Sequence, residues 1–142
     1  MINLLIIEDC EGQRKLVRQI LLSKFQELEI EATIYEADCL EAGIAQAKGC
    51  DLVLLDLELV TTTKKETIEC IKAFDSIPIV VVSGFNDFET IKKCILNGVD
   101  SYICKEDVAK QPCLFANLVL QAVWRSEMKT NGASRYKLQI SG

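Results

Sequence analysis

Two apolar runs of strand length end in carboxylates, and this pattern constrains the fold more than any other feature of the chain. Asn3-Leu-Leu-Ile-Ile-Glu8-Asp9 ends in two adjacent acids, and Asp51-Leu-Val-Leu-Leu-Asp56 ends in one. Strands that helices cover on both faces are continuous apolar runs, whereas half-exposed strands alternate. In sheets of this kind, ligands bind at the carboxyl ends of the strands. The pattern therefore predicts a buried parallel sheet with an acidic pocket at one edge.

Apolar periodicity alternates between strand and helix along most of the chain. The predicted strands span 3–7, 30–35, 51–55, 77–82 and 101–104, and the predicted helices span 11–25, 39–48, 65–74, 87–97 and 112–128. Five β–α units with short connections favour a doubly wound α/β fold, in which a five-stranded parallel sheet has helices on both faces.

The composition is typical of one globular domain, which we place at residues 1–128. Of the 142 residues, 49% are hydrophobic, and no apolar stretch approaches the length of a membrane span. The first residues lead directly into a strand without a signal peptide, so we expect a cytoplasmic protein without a membrane partner. The formal charge of −5 disfavours direct nucleic-acid binding. Residues 129–142 are expected to form a linker-like or disordered tail.

The chain has seven cysteines and no histidine. No Cys-x-x-Cys pair occurs. Because the chain lacks histidine, mixed Cys–His zinc sites are excluded, as are Ser-His-Asp and Cys-His nucleophiles. We interpret the cysteines as small, reduced apolar side chains. Redox sensing by one exposed thiol is the alternative.

Polar side chains follow four of the predicted strands at the point where each strand ends. Glu8 and Asp9 follow the first strand, and Asp56 ends the third. Ser83 follows the fourth strand and Lys105 the fifth. Three carboxylates that meet at one sheet edge repel one another unless a cation neutralises them, and Mg²⁺ prefers carboxylate oxygens. With an ammonium and a hydroxyl opposite, the set suits phosphoryl transfer to an aspartate nucleophile.

These residues resemble the pattern of the receiver domains of two-component response regulators, over about residues 1–128. The pattern comprises an acidic pair after strand one, an aspartate after strand three, a Ser/Thr and a small residue after strand four, and aromatic-x-x-Lys at strand five. Here these are Glu8-Asp9, Asp56, Ser83-Gly84 and Tyr102-Ile-Cys-Lys105. The resemblance implies a flavodoxin-like (βα)₅ fold with strand order 2-1-3-4-5.

The resemblance also implies that the chain is a signalling switch and not an enzyme beyond its own phosphorylation and dephosphorylation. Asp56 would accept a phosphoryl group from the phosphohistidine of a sensor histidine kinase or a histidine phosphotransfer protein. Glu8, Asp9 and Asp56 would bind Mg²⁺, and the backbone carbonyl of Glu58 would complete the protein's metal ligands. Because the chain lacks histidine, it must receive the phosphoryl group rather than donate it from a histidine of its own.

The same resemblance assigns the remaining residues to the switch. Ser83 and Lys105 would contact the phosphoryl oxygens, and Tyr102 matches the aromatic residue that turns inward when Ser83 moves. The response would change the face formed by the fourth helix, the fifth strand and the fifth helix. A downstream protein, an effector domain or a second copy of the chain would bind there.

Two departures from the family pattern leave alternatives open. Glu106 stands where most receivers have a proline after the lysine, so the loop is either trans and rearranged or strained. Glu58 adds a carboxylate beside the acceptor, and we expect it to alter autodephosphorylation.

A pseudo-receiver that acts as a constitutive interaction module is the main alternative to the switch function. A Mg²⁺-dependent phosphohydrolase is less favoured, because Asp56-Leu-Glu58 lacks the Asp-x-Asp pattern of haloacid dehalogenase-type enzymes. Asp9 is also a candidate N-cap for the helix that follows it.

Overall fold

Five parallel strands form one sheet in the computed structural model, which describes residues 1–129. The strands are β1 (Ile2–Ile7), β2 (Ala32–Ala37), β3 (Leu52–Asp56), β4 (Ile79–Ser83) and β5 (Ser101–Cys104). Their order is β2-β1-β3-β4-β5. Each strand overlaps the one that the sequence predicts, and the predicted fold class and strand order are confirmed.

Helices cover both faces of this sheet. They are α1 (Glu11–Glu27), α2 (Leu40–Gln46), α3 (Lys64–Glu69), α4 (Phe88–Leu96), α5 (Lys105–Lys110) and α6 (Pro112–Glu127). A 3₁₀ helix, Cys70–Phe74, continues α3, so the two together match the helix predicted at 65–74. The short helix α5 was not predicted, and α6 is the fifth helix of the sequence prediction. Within residues 1–129, no helix has both the length and the apolar character to cross a bilayer.

The alternation of side chains along β1 divides the core into two parts. Leu4 and Ile6 face the layer that contains α1 and α6, where Phe115 is fully buried. Leu5 and Ile7 face the opposite layer, which contains α2, α3 and α4. Burial on both faces explains why the strand sequence is continuously apolar.

Local capping interactions define the helices around the site. Thr63 and Glu66 form a reciprocal capping box at the start of α3. The Asp87 side chain accepts a hydrogen bond from the Thr90 amide at the start of α4. Gly98 follows the end of α4 with a φ of 97°, a conformation that glycine adopts without steric cost. The Asn97-Gly98 stop signal is thus confirmed.

Strand register brings the polar strand ends to one edge. Ile7 lies opposite both Ala37 of β2 and Leu55 of β3. β2 is thus added on one side of β1, and β3 and the later strands are added on the other side. Asp56 lies opposite Val82 in the neighbouring strand. The carboxyl ends of β1 and β3 are therefore the position at which sheets of this kind bind ligands.

All seven cysteines are free thiols. Cys94 is fully buried, and burial raises the pKa of its thiol to about 11. These features agree with the interpretation of the cysteines as reduced side chains. The redox-sensing alternative stays a prediction. Of the predicted tail, residues 130–142 lie outside the described residues.

Candidate functional site

Three carboxylates meet at the carboxyl end of the sheet. Glu8 and Asp9 follow β1 and Asp56 ends β3, and one carboxylate oxygen of each lies within 4.8 Å of the others. Only 4% of Glu8 and 2% of Asp56 is exposed. Oδ2 of Asp56 is buried without a hydrogen-bond partner. Because an unpartnered buried carboxylate oxygen is costly, the arrangement favours a bound cation.

The protonation of Glu8 reflects the crowding of these acids. Burial, and after it the adjacent Asp56 carboxylate, together raise the pKa of Glu8 to about 8. Lys105 opposes the shift, but less strongly. Without a cation, Glu8 therefore holds a proton near neutral pH, and this proton removes one negative charge from the cluster.

Lys105 faces the carboxylates from the end of β5. Its Nζ lies 3.2 Å from Oδ1 of Asp56, 3.7 Å from Oε2 of Glu8 and 3.7 Å from Oε1 of Glu58. Burial acts to lower the pKa of Lys105, but the surrounding carboxylates, led by Asp56, outweigh it and raise the pKa. The side chain is therefore a permanent cation at the mouth of the pocket.

The backbone around Lys105 differs from the family pattern described above. Lys105 is the first residue of α5, with Cys104 at the N-cap. No peptide bond within residues 1–129 is cis, so the Lys105–Glu106 peptide is trans. Of the two expectations for this loop, the structure has the trans form, rearranged into a short helix.

Asp9 does not cap α1, and that prediction is wrong. Cys10 occupies the N-cap position, without a side-chain capping hydrogen bond. Oδ2 of Asp9 instead accepts a hydrogen bond of 2.7 Å from the amide of Val60, in the loop that follows β3. This contact joins the β1 and β3 ends of the pocket, which local sequence patterns do not reveal.

The loop after β3 also holds Glu58 against the pocket. Its amide donates a hydrogen bond of 2.9 Å to Oδ1 of Asp56. Its carboxylate oxygen Oε1 accepts a hydrogen bond from the amide of Gly84. The side chain thus points across the pocket toward the end of β4. The proposed role of the Glu58 carbonyl as a metal ligand stays a prediction.

The two predicted switch residues are linked through the backbone of one residue. Ser83 is fully buried at the end of β4, and its Oγ accepts a hydrogen bond of 3.1 Å from the amide of Phe85. The Tyr102 hydroxyl donates a hydrogen bond to the carbonyl of the same Phe85. Ser83 and Tyr102 therefore hold the loop before α4 from both sides of one residue. Sequence reasoning did not identify Phe85, because its backbone makes both contacts.

Arg14 supports the first acidic position, and sequence reasoning missed it. Its Nη1 donates a hydrogen bond of 2.8 Å to the carbonyl of Glu8, and its Nε pairs with Glu36 of β2 at 3.1 Å. Arg18 pairs with the same Glu36 at 3.2 Å. Two arginines one helical turn apart beside an acidic edge strand are the signal that could have indicated this network.

Lys64 is a second residue that sequence reasoning missed, and it contacts Phe85 in the loop before α4. Its Nζ lies 4.4 Å from the centre of the Phe85 ring and donates a hydrogen bond of 2.9 Å to Oγ1 of Thr90. Asp87 also accepts from that hydroxyl, at 2.8 Å. A cation from α3 therefore holds the first turn of α4 in place beside the pocket.

Comparisons with known proteins agree with this geometry. The family model described as the response regulator receiver domain matches residues 4–111. The chain is 29% identical to the chemotaxis protein CheY of Treponema pallidum, over 72% of each protein. It is 31% identical to a cyclic di-GMP phosphodiesterase of Thermotoga maritima, over 72% of this chain but only 27% of the relative.

A solved structure supports the fold. The CheY-like receiver domain protein from Methanospirillum hungatei superposes with a TM-score of 0.73 at 20% identity, over 91% of this chain and 98% of that one. The family match covers residues that contribute every strand of the sheet and every carboxylate of the pocket. The chain belongs to the response regulator receiver domain family.

Proposed function

We propose that the chain is the phosphoacceptor of a two-component phosphorelay and that Asp56 receives the phosphoryl group. The observation that carries the proposal is the environment of this carboxylate. Asp56 is buried, one of its oxygens lacks a hydrogen-bond partner, and the other lies 3.2 Å from the ammonium of Lys105. The donor is a phosphohistidine on a sensor histidine kinase or a histidine phosphotransfer protein.

The transfer exchanges one bond at phosphorus for another. A carboxylate oxygen of Asp56 forms a bond to phosphorus, and the bond between phosphorus and the donor's imidazole nitrogen breaks. The electron pair of that bond returns to the imidazole, which then takes up a proton from solvent. Lys105 and the Ser83 hydroxyl stabilise the phosphoryl oxygens, and the product adds about −1.5 to −2 of charge at the pocket.

The donor set fits Mg²⁺. Carboxylate oxygens of Glu8, Asp9 and Asp56 come within 4.8 Å of one another. Oδ2 of Asp56 has no hydrogen-bond partner and can therefore act as a metal ligand. These side chains, with the carbonyl of Glu58, would hold the ion. When bound, Mg²⁺ supplies positive charge that offsets the carboxylates and the phosphoryl oxygens.

In this proposal, the response to phosphorylation passes through the backbone of Phe85. Ser83 moves toward the phosphoryl oxygens and releases the amide of Phe85, and the carbonyl of Phe85 then no longer holds the Tyr102 hydroxyl in place. Support for this step comes from the paired hydrogen bonds of Ser83 and Tyr102 to Phe85. The population of the two arrangements shifts on the face formed by α4, β5 and α6. That face binds a downstream protein or effector domain, or a second copy of the chain.

Incubation with acetyl phosphate and Mg²⁺ tests the acceptor assignment. Intact-mass measurement is expected to find a phosphoryl adduct that hydroxylamine removes, since hydroxylamine attacks acyl phosphates. Asp56→Asn should form no adduct. Asp38→Asn is the matched control, because Asp38 is an exposed carboxylate between β2 and α2, outside the acidic cluster. A wild-type protein that forms no adduct with saturating donor would contradict the proposal.

A constitutive interaction module is the second candidate. One observation favours it: the carboxylate of Glu58 already pairs with the Gly84 amide and lies 3.7 Å from Lys105 in the unphosphorylated chain. A module of this kind would bind its partner equally well before and after acetyl phosphate treatment. Equal partner binding by wild type and Asp56→Asn under phosphorylating conditions would establish this alternative.

A further inference from the structure

The carboxylate of Glu58 lies between two donors that belong to different strand ends. Its Oε1 accepts a hydrogen bond from the amide of Gly84, which follows β4, and lies 3.7 Å from the Lys105 ammonium, which follows β5. The side chain is 38% exposed, so it enters the pocket from the solvent side. Glu58 thus places an anion over the acceptor residue.

Two backbone features hold Glu58 in this position. Its own amide donates to Oδ1 of Asp56 at 2.9 Å, which anchors the residue directly above the acceptor. The absence of a Cβ at position 84 leaves room for the Glu58 carboxylate in this position. A Cβ at this position would lie 2.6 Å from Oε1 of Glu58, closer than real Cβ atoms approach other atoms. Glu58 and Gly84 therefore form a matched pair.

The donors that Glu58 occupies suit any small anion at the acceptor. A backbone amide and an ammonium form charge-assisted interactions with carboxylate and with phosphoryl oxygens alike. A phosphoryl group on Asp56 carries about −1.5 to −2 of charge. Two anions cannot share these two donors, because they would repel one another across a few ångströms.

We propose that Glu58 is an internal anion that competes with the phosphoryl group for the Gly84 amide and Lys105, an inference that rests on the proposed function. In the unphosphorylated chain, the carboxylate is hydrogen-bonded to the Gly84 amide and forms an ion pair with Lys105 at 3.7 Å. Phosphorylation expels it toward solvent and frees the donors for the phosphoryl oxygens. The exchange weakens the binding of any phosphoryl-like anion, because the Glu58 contacts must first be lost.

Glu58→Ala and Glu58→Gln test this competition by different changes. Alanine removes the side chain, whereas glutamine keeps its size and hydrogen-bonding oxygen but removes the charge. Gly84→Ala is an independent variant, since its added Cβ displaces Glu58 without altering residue 58. Glu106→Gln is the matched control, because it removes one charge next to Lys105 from a side chain that is 67% exposed and pairs with Lys110.

The probe is beryllium fluoride with Mg²⁺, which mimics an attached phosphoryl group, and binding is measured by titration calorimetry on the full chain. Loss of one charge-assisted contact predicts about tenfold tighter binding by Glu58→Ala. Gly84→Ala should tighten binding similarly, Glu58→Gln less, and Glu106→Gln not measurably. In the absence of metal and fluoride, the Gly84 amide proton should shift upfield in Glu58→Ala and stay unchanged in Glu106→Gln.

The outcomes separate the inference from the proposed function. Equal or weaker binding by Glu58→Ala, with wild-type binding intact, would overturn the competition while the acceptor role of Asp56 stands. An unchanged Gly84 amide shift in Glu58→Ala would also overturn it, independently of phosphorylation. If neither wild type nor any variant bound the probe, the acceptor function itself would fail, and the competition with it.

Discussion

The Lys105 ammonium lies 3.2 Å from Oδ1 of Asp56, although α3, β4, α4 and β5 separate the two residues along the chain. The same ammonium lies 3.7 Å from Oε2 of Glu8. Asp56 is 2% exposed and Lys105 is 24% exposed at its side chain, so water screens this charge only in part. Lys105 is thus the main counter-charge that the described residues supply to the buried acids.

Lys105→Met should lower the stability of the metal-free protein at neutral pH by about 1–3 kcal/mol, because it leaves buried carboxylates without their cation. It should also tighten Mg²⁺ binding, since a competing positive charge is gone. Urea denaturation and Mg²⁺ titration calorimetry measure the two effects. Lys110→Met is the control, as Lys110 pairs with Glu106 on an exposed surface. Weaker Mg²⁺ binding by Lys105→Met would contradict this electrostatic picture.

The raised pKa of Glu8 predicts an unusual pH dependence. The folded protein holds this proton up to about pH 8, whereas the unfolded chain releases it near 4.5. Since the folded state binds more protons in that window, the stability of the metal-free protein should fall as the pH rises from about 4.5 to about 8. At about 1.4 kcal/mol per pKa unit, the loss is a few kcal/mol.

Denaturation of Glu8→Gln across the same pH range provides the check. This variant should lose most of the slope, because glutamine needs no proton to be neutral. Saturating Mg²⁺ should flatten the wild-type profile as well, since the ion replaces the proton. Glu41→Gln, at an exposed carboxylate in the first turn of α2, should keep the wild-type slope. A Glu8→Gln profile as steep as the wild-type one would show that other groups cause it.

The contacts of Ser83 and Tyr102 with the backbone of Phe85 predict energetic coupling between the two side chains. Tyr102→Phe removes the hydroxyl that donates to the Phe85 carbonyl and should cost about 1 kcal/mol. Ser83→Ala removes the acceptor of the Phe85 amide. Because each change loosens the same residue, the double variant should lose about 0.5–1 kcal/mol less than the sum of the single losses. Urea denaturation of the four proteins gives this value, and strict additivity would exclude the Phe85 link.

Gly43 is predicted to be essential for packing α2 against the sheet. A Cβ at this buried position would lie 2.6 Å from Cγ1 of Ile7, which is fully buried and directly precedes Glu8. Gly43→Ala should therefore cost about 1–3 kcal/mol by thermal or urea denaturation. Gly12→Ala is the matched control in α1, where nothing lies within 4 Å. It should be neutral or stabilising by up to about 1 kcal/mol, and an equal loss in both variants would refute the packing explanation.

The limits of strand and helix prediction have physical reasons in particular residues. β4 starts at Ile79 and not at position 77, because Pro78 has no amide hydrogen for the sheet; its carbonyl accepts from Val53 instead. α5 escaped prediction because its six residues lack an apolar stripe and bury only Val108. β5, with apolar residues between clear boundaries, matches its predicted span of 101–104.

The order of residues along the chain was enough to predict which side chains meet. Burial on both sheet faces produces unbroken apolar strands, and parallel strands bring their carboxyl ends to one edge, so Glu8, Asp56 and Lys105 had to converge. Only the tertiary structure decided where the loop side chains point. Asp9 binds the Val60 amide instead of capping α1, and Glu58 reaches Gly84. A loop side chain takes its direction from partners that other loops present, and no local periodicity records them.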